Sequence, residues 1–157
     1  MQRRFDHLDD TWPAGLGRRL GAMLYDGLLV LAIWIVMASA HLAVVRLLLE
    51  VPAEAVGAGL AQVITLRLVM AISAFAFFAF FWTRGGMTLG MQAWRLRVQT
   101  RDGCSITGLQ ALQRFLVAGI SLAAFGLGYL WILVDAEKRS WPDIASGSRV
   151  VVLPKRR

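Results

Sequence analysis

The sequence predicts an all-α membrane protein with two full transmembrane helices, a third hydrophobic helical segment and a small cytoplasmic β patch. Hydrophobic residues make up 57% of the 157-residue chain and charged residues only 17%, which is more apolar than ordinary soluble domains are. The sequence has three apolar segments, 20–49, 60–82 and 115–134. Each is as long as or longer than the ~20 residues that a helix needs to cross a bilayer. The lipid bilayer is therefore the first expected partner.

The first two segments are predicted to be ordinary membrane spans with the N-terminus in the cytoplasm. Arginines cluster on the N-terminal flank and in the 83–114 loop, whereas the 50–59 loop has no cationic excess. Cytoplasmic loops of membrane proteins carry an excess of lysine and arginine. This pattern puts the N-terminus and the 83–114 loop inside, and it favours the inner membrane of a bacterium as the location.

The third segment is predicted to enter the membrane and return. A single crossing would place a basic tail outside, against the charge rule. The stretch Trp94–Gln99 also alternates apolar and polar residues, and Arg149–Leu153 is a β-branched run that could pair with it. Because paired strands must share a compartment, we favour two short helices hinged near Gly126 and Gly128, with a full third span as the alternative.

The chain divides into three parts by composition. Residues 1–13 form a polar lead-in, residues 14–153 form the transmembrane domain, and residues 154–157 form a basic tail. The net charge of +7 lies mostly in connecting and terminal segments, where it acts as a topology signal. No nucleic-acid motif accompanies it, so nucleic acid is not an expected partner.

Asp26 is the most unusual residue of the first helix, because a carboxylate in a membrane span costs free energy and commonly marks a functional position. It follows Arg19 by seven residues, so the two lie on one helix face about 10 Å apart along the axis. That separation is long for a direct pair, and Arg114 is the first candidate partner of Asp26. Two interpretations stay open: an ion or proton ligand, or half of a structural contact.

Catalytic, metal and cofactor sites have no support in the sequence. His7 and His41 stand far apart without an acidic or cysteine cluster between them, which does not fit a metal site. No nucleophile and general base can be recognised together. The sequence therefore predicts no enzyme, no cofactor and no bound metal.

Several motifs occur in an order that resembles the RDD family of small multi-pass membrane proteins. They are Arg19 followed by Asp26, Thr88-Leu89-Gly90 before "WRLRV", "QALQRF" at 110–115, "FGLGYLWIL" at 125–133, and Trp141 with Asp143. The resemblance extends over essentially residues 14–153. The chain departs from the usual pattern at Leu89 and Met91, where "TPGK" is frequent, and at Pro142, where a histidine is common.

By this resemblance Arg19, Asp26 and Asp143 are the signature residues, and Arg114 is a further recurrent position. Asp143 is expected near Arg19 or Arg114, which would make the four residues one polar cluster. The family is largely uncharacterised, and cation/proton antiport is associated with some of its members.

The sequence and the resemblance are therefore compatible with two functions. The first is ion transport by cation or proton exchange, in an oligomer with Asp26 as the titrating group, since so few helices cannot easily enclose a pathway. The second is a scaffold or accessory protein that does not transport and whose Arg/Asp cluster is structural. The expected partners are a second copy or another membrane protein, and a monovalent cation or proton.

Overall fold

The computed structural model describes residues 3–5 and 10–154. His7 and most of the basic tail, residues 155–157, lie outside the described residues, as do residues 1, 2, 6, 8 and 9 of the polar lead-in. The helices are α1 (Leu16–Ala43), α2 (Leu60–Arg84), α3 (Leu89–Ala93), α4 (Gly108–Ala123), α5 (Leu127–Leu130) and α6 (Trp141–Ala145). The strands are β1 (Trp12–Pro13), β2 (Leu96–Thr100) and β3 (Ser148–Val152). The protein is therefore mostly helical with a small antiparallel sheet.

Two helices are long and apolar enough to cross a membrane. The first runs over Leu16–Leu48, because α1 continues into a turn of π-helix at Val44–Leu48, and the second is Leu60–Arg84. Their surfaces are mostly exposed leucine, isoleucine, valine and phenylalanine side chains, as expected where lipid replaces water. Both predicted spans are confirmed.

The third apolar segment is a bent pair of helices. Its two arms, Gly108–Ala123 and Leu127–Leu133, meet at an angle of 106°. The bend uses two residues with positive φ, Phe125 at 55° and Gly126 at 79°, and glycine adopts that region without a steric penalty. The break thus lies at the first of the two glycines named from the sequence.

The three strands form one antiparallel sheet in the order β1, β3, β2. Leu96 pairs with Val152 and Thr100 with Ser148, so the predicted pairing of these two segments is confirmed. The third strand, β1, was not predicted, and it pairs Trp12 and Pro13 with Val152 and Val151. Part of the polar lead-in thus belongs to the sheet.

The chain forms two compact units. One comprises the described residues up to Asp26 and those from Phe78 onward, and the other comprises Gly27–Phe77. Within the second unit, the indole Nε1 of Trp34 donates to the carbonyl of Met70 at 2.9 Å. The first unit contains the sheet and a buried apolar core formed by Ala14, Ala22, Trp82, Met91, Leu96, Val98, Ile106, Ala111, Val150 and Val152.

Two helices of the first unit, α3 and α4, begin at capping side chains that accept hydrogen bonds from backbone amides of the first helical turn. Thr88 caps α3 by accepting from the amide of Met91. Thr107 and Gln110 form a reciprocal capping box at the start of α4. Such caps fix where a helix starts, and both of these helices carry groups of the candidate site.

Candidate functional site

Asp143 is the centre of a buried ionic cluster, which we call the Asp143 cluster and which consists of Arg19, Arg114 and Asp143. One carboxylate oxygen, Oδ2, lies 2.5 Å from Nη1 of Arg19, and the other, Oδ1, lies 2.5 Å from Nη1 of Arg114. The Asp143 side chain is completely buried, and the two arginines are 5% and 6% exposed. One carboxylate thus holds two guanidinium groups away from solvent.

Arg19 extends the Asp143 cluster to two other parts of the chain. Its Nε donates to the carbonyl of Ala14 at 3.1 Å, and its Nη2 donates to the carbonyl of Lys138 at 2.8 Å. Lys138 has a φ of 54°, a region that costs free energy for a residue with a side chain. The loop before α6 therefore holds an unfavourable backbone conformation whose carbonyl is bonded to Arg19.

Arg114 connects α4 to the end of α6 and the start of β3. Its Nη1 also donates to the hydroxyl of Ser148 at 2.9 Å, and its guanidinium carbon lies 5.2 Å from the centre of the Trp82 ring. Ser148 in turn bonds the hydroxyl of Ser146 at 2.7 Å. These contacts fix the guanidinium in one orientation.

Asp143 is held in its charged form by its neighbours. Burial alone would raise its pKa, but the charges of Arg114 and Arg19, together with the hydrogen bond from the Ser140 amide, bring the pKa below its ordinary value of 3.8. Opposite charges at hydrogen-bond distance commonly outweigh desolvation in this way. The carboxylate therefore stays ionised at neutral pH.

Asp26 lies in a different environment, although it too is buried, with 4% of the residue exposed. Its Oδ2 is 2.5 Å from the hydroxyl of Thr88, and its Oδ1 accepts the backbone amide of Gly90 at 2.8 Å. Among the described residues, no cationic side chain lies within 4.0 Å of this carboxylate. Its bonded partners are therefore neutral groups.

The contact between α1 and α3 depends on a glycine. A Cβ atom at Gly90 would collide with the carbonyl oxygen of Ala22 and would lie 2.9 Å from the Asp26 carboxyl carbon. Only glycine lets the backbone of α3 approach α1 closely enough for the amide of Gly90 to reach Asp26.

The structure brings together three of the four predicted site residues. Arg19, Arg114 and Asp143 are in direct contact, whereas the proposed pairing of Asp26 with Arg114 is wrong. Arg114 is occupied by Asp143 and Ser148, and the space beside Asp26 is filled by α3. The stretch 85–91 at the end of α2 supplies both partners of Asp26.

Four polar contributors to the site were not predicted from the residues themselves. They are the Thr88 hydroxyl, the Gly90 amide, the Ser140 amide and the Ser148 hydroxyl. Thr88 and Gly90 do lie in the Thr-x-Gly motif on which the family resemblance rests. The sequence signal was thus present, but it did not indicate that the motif meets Asp26.

Comparison with known families identifies the chain. The model of the RDD family matches residues 13–147, which is most of the sequence, so the chain belongs to the RDD family. No curated protein and no solved structure shows significant similarity to it. The family match includes Arg19, Asp26, Arg114 and Asp143.

Proposed function

We propose that this RDD family membrane protein exchanges a monovalent cation or proton across the membrane as a homo-oligomer, with Asp26 as the exchanging group. The observation that carries the proposal is that, among the described residues, this buried carboxylate is bonded only to neutral donors. A charged carboxylate in a membrane helix is costly unless something compensates the charge. A proton or a monovalent cation would supply that compensation reversibly.

The two signature aspartates differ in the way that this function requires. Asp143 is bound by two arginines, so a mobile cation would have to compete with two fixed ones. Asp26 has a hydroxyl and an amide as partners, and neither of them neutralises a negative charge. Asp26 is therefore the better candidate for binding and release, and Asp143 the better candidate for holding the helices in place.

An oligomer is part of the proposal. Two membrane-spanning helices and a bent pair are too few to enclose a pathway easily, so a second copy of the chain would complete it. Another membrane protein could fill the same role. We propose transport rather than catalysis, because the sequence has no recognisable pairing of a nucleophile with a general base.

The proposed location is a bacterial inner membrane, with the N-terminus in the cytoplasm. The support is the distribution of arginines along the chain, which follows the positive-inside rule. Shared membership of β1, β2 and β3 in one sheet supports a bent pair that enters and leaves on the same side, because these strands flank the three apolar segments.

The test is flux through purified protein in proteoliposomes. A proton gradient or a sodium gradient is imposed, and movement of the ion is followed by a fluorescent dye. Asp26→Asn keeps an oxygen that can accept from Gly90 but removes the charge, so we expect flux to fall by about tenfold or more. Asp135→Asn removes one carboxylate from the loop before α6 and serves as the matched control with unchanged flux.

Two results would contradict transport. The first is wild-type flux no higher than that of empty vesicles under either gradient. The second is equal flux in the wild type and in Asp26→Asn, with the variant shown to be folded and inserted.

A scaffold or accessory role is the second candidate. The observation in its favour is the Asp143 cluster, whose ionic groups are buried and bonded to each other. If the protein assembles with a partner and does not transport, Asp26→Asn and Asp143→Asn should each reduce the amount of folded protein or of assembled complex. Gel filtration in detergent, run beside the flux assay, distinguishes this outcome from loss of transport in an intact oligomer.

A further inference from the structure

A cavity with a cationic lining lies where the sheet meets the loop before α6. Its volume is about 290 Å³, and its walls include Trp12, Arg19, Lys138, Arg139 and Arg149. Glu137 is the single acidic residue among the lining residues. We call this cavity the basic pocket; the proposed ion exchange does not use it.

Two of the four cations are neutralised by acidic neighbours. Arg19 is bound to Asp143. Arg139 donates to both oxygens of Asp135 at 3.0 Å, and its Nε lies 3.6 Å from a carboxylate oxygen of Glu137. The hydrogen bonds from Arg139 hold the pKa of Asp135 down to about 2, so this pair is charged at neutral pH.

The other two cations, Lys138 and Arg149, have no acidic partner in the described part of the chain. Neither side chain lies within 4.0 Å of a carboxylate among the residues that the structure describes. Both residues are exposed. Their positive charge is not neutralised by a described carboxylate. An anion bound beside these two residues would therefore gain the most electrostatic binding free energy.

The loop that forms one wall is fixed before any ligand binds. Asp135 accepts the amides of Glu137 and Arg139 at 3.2 and 2.9 Å, and the carbonyl of Lys138 accepts from Arg19. A binding wall that is already ordered loses little entropy when a ligand arrives. Lys138 is thus presented on an ordered turn, and Arg149 is presented on strand β3.

Exposed apolar side chains directly precede this wall in the sequence. Trp131, Leu133 and Val134 come just before the loop and are 45%, 69% and 73% exposed. Trp12, at the other wall, is 47% exposed, and tryptophan is enriched where a membrane meets water. A ligand with both an acyl chain and an anionic group would contact the two surfaces at once.

We propose that the basic pocket binds the phosphate group of an anionic phospholipid, with its acyl chains along Trp131, Leu133 and Val134. Arginine and lysine are the side chains that bind phosphate oxygens best, and basic pockets on the cytoplasmic side of membrane proteins accept anionic headgroups. The binding does not depend on whether the protein transports an ion. Lys138 and Arg149 supply the charge that selects an anionic headgroup over a zwitterionic one.

The test measures lipid binding to the protein in a neutral detergent by native mass spectrometry. Phosphatidylglycerol is the anionic probe, phosphatidylcholine the zwitterionic probe and inorganic phosphate the soluble probe. The wild type is expected to retain phosphatidylglycerol more tightly than phosphatidylcholine. The variant Lys138→Gln with Arg149→Gln should bind phosphatidylglycerol about thirtyfold more weakly, given the usual contribution of each cation near a lipid surface.

The matched control is Arg46→Gln with Arg84→Gln, which removes the same charge from exposed positions that do not line the pocket. It should bind phosphatidylglycerol as the wild type does. Thermal unfolding is recorded for every variant. If the double variant does not fold, Lys138→Gln alone is used, with an expected loss of about fivefold and recovery in Lys138→Arg.

Three results would overturn the proposal. One is equal retention of phosphatidylglycerol and phosphatidylcholine by the wild type. Another is an equal loss in the pocket variant and in the control, which would mean that only net charge matters. The third is binding of inorganic phosphate without any binding of phosphatidylglycerol, which would assign the pocket to a soluble anion.

Discussion

Gly90 determines whether α3 can reach α1. Its amide donates to Asp26 at 2.8 Å, and a Cβ atom there would collide with the Ala22 carbonyl and crowd the Asp26 carboxylate. The position therefore combines a hydrogen bond to Asp26 with a contact that admits no side chain. Any larger residue must move one of the two helices.

We expect Gly90→Ala to lower the free energy of unfolding by about 1–3 kcal/mol, the usual cost of forcing an extra carbon into a packed contact. The backbone amide of residue 90 would move away from Asp26 as α3 shifts. Thermal or denaturant unfolding in detergent measures the loss. Under the proposed exchange function, flux should also fall, because the environment of Asp26 changes.

Gly108→Ala is the matched control. Gly108 is the first residue of α4, and a Cβ atom there would have open space around it. Replacing such a glycine changes stability little or raises it by up to about 1 kcal/mol. Equal losses in the two variants would contradict the packing argument for Gly90.

Single residues with unusual chemistry could be identified from the sequence, but the partners of Asp26 could not. Asp26 and Arg19 are conspicuous because charge is rare in an apolar run. The partner of Asp26 is a threonine 62 positions away, and nothing in composition or spacing singles out Thr88 from other threonines. Arg114 was the plausible alternative because opposite charges attract, yet it lies against Asp143.

At the scale of elements, Asp143 joins three helices that are far apart in sequence. Arg19 comes from α1, Arg114 from α4 and Asp143 from α6. Removing one partner of a buried ion pair leaves the other charge without compensation. Here the loss of one carboxylate would leave two guanidinium groups buried.

We expect Asp143→Asn to lower the free energy of unfolding by about 3–5 kcal/mol at neutral pH, or to prevent folding altogether. Asp135→Asn, which breaks a partly exposed pair and leaves no fully buried charge, should have a smaller effect. The pH dependence adds a separate signature. Because the folded pKa of Asp143 is below its ordinary value of 3.8, its contribution is complete above that value and is lost as the pH falls through the folded pKa.

The measurement is the difference in stability between the wild type and Asp143→Asn, followed from pH 8 down to pH 3. The difference should stay constant from pH 8 to about 5 and shrink only below about 4, where protons begin to bind the unfolded chain in preference. A difference that already shrinks between pH 7 and 5 would contradict an ionised, doubly paired Asp143. If the variant does not fold, Ser148→Ala, which removes one acceptor of Arg114, is used as a milder perturbation.

The sequence predicts some of the helices and strands more strongly than others. Long apolar runs predict α1 and α2 well, since a helix that spans lipid must be apolar along its whole length. The alternation of apolar and polar residues around Leu96–Thr100 predicts β2, although in the structure all five residues of this strand are buried. By contrast, β1 is two residues long and contains a proline, and it exists only because β3 has a free edge for Trp12 and Pro13.

At the scale of the whole molecule, the sheet constrains the membrane topology. Strand β1 precedes α1, β2 follows α2, and β3 follows the bent pair, yet all three are hydrogen-bonded neighbours in one sheet. Strands in one sheet must lie on the same side of a bilayer. We therefore expect the number of crossings between any two of them to be even. The helices α1 and α2 together would satisfy this condition, and the bent pair would satisfy it by returning to the side that it left.

Cysteine labelling in inverted and right-side-out vesicles tests this topology. Cys104 is first replaced by serine, and single cysteines are then placed before the bent pair (Asp102→Cys), after it (Glu137→Cys) and in the loop between α1 and α2 (Glu54→Cys). All three positions are exposed. An impermeant thiol reagent should label positions 102 and 137 from the cytoplasmic side and position 54 from the other.

The alternative topology gives a different pattern. If residues 108–133 crossed the membrane once, position 137 would react from the same side as position 54, and β3 could not pair with β2 across a bilayer. Labelling after permeabilisation, where all three cysteines should react, verifies that each is accessible. If position 137 reacted only from outside, the sheet could not form in the membrane-inserted protein. The ordered loop at Lys138 and the basic pocket, which this loop helps to form, would then be absent as well.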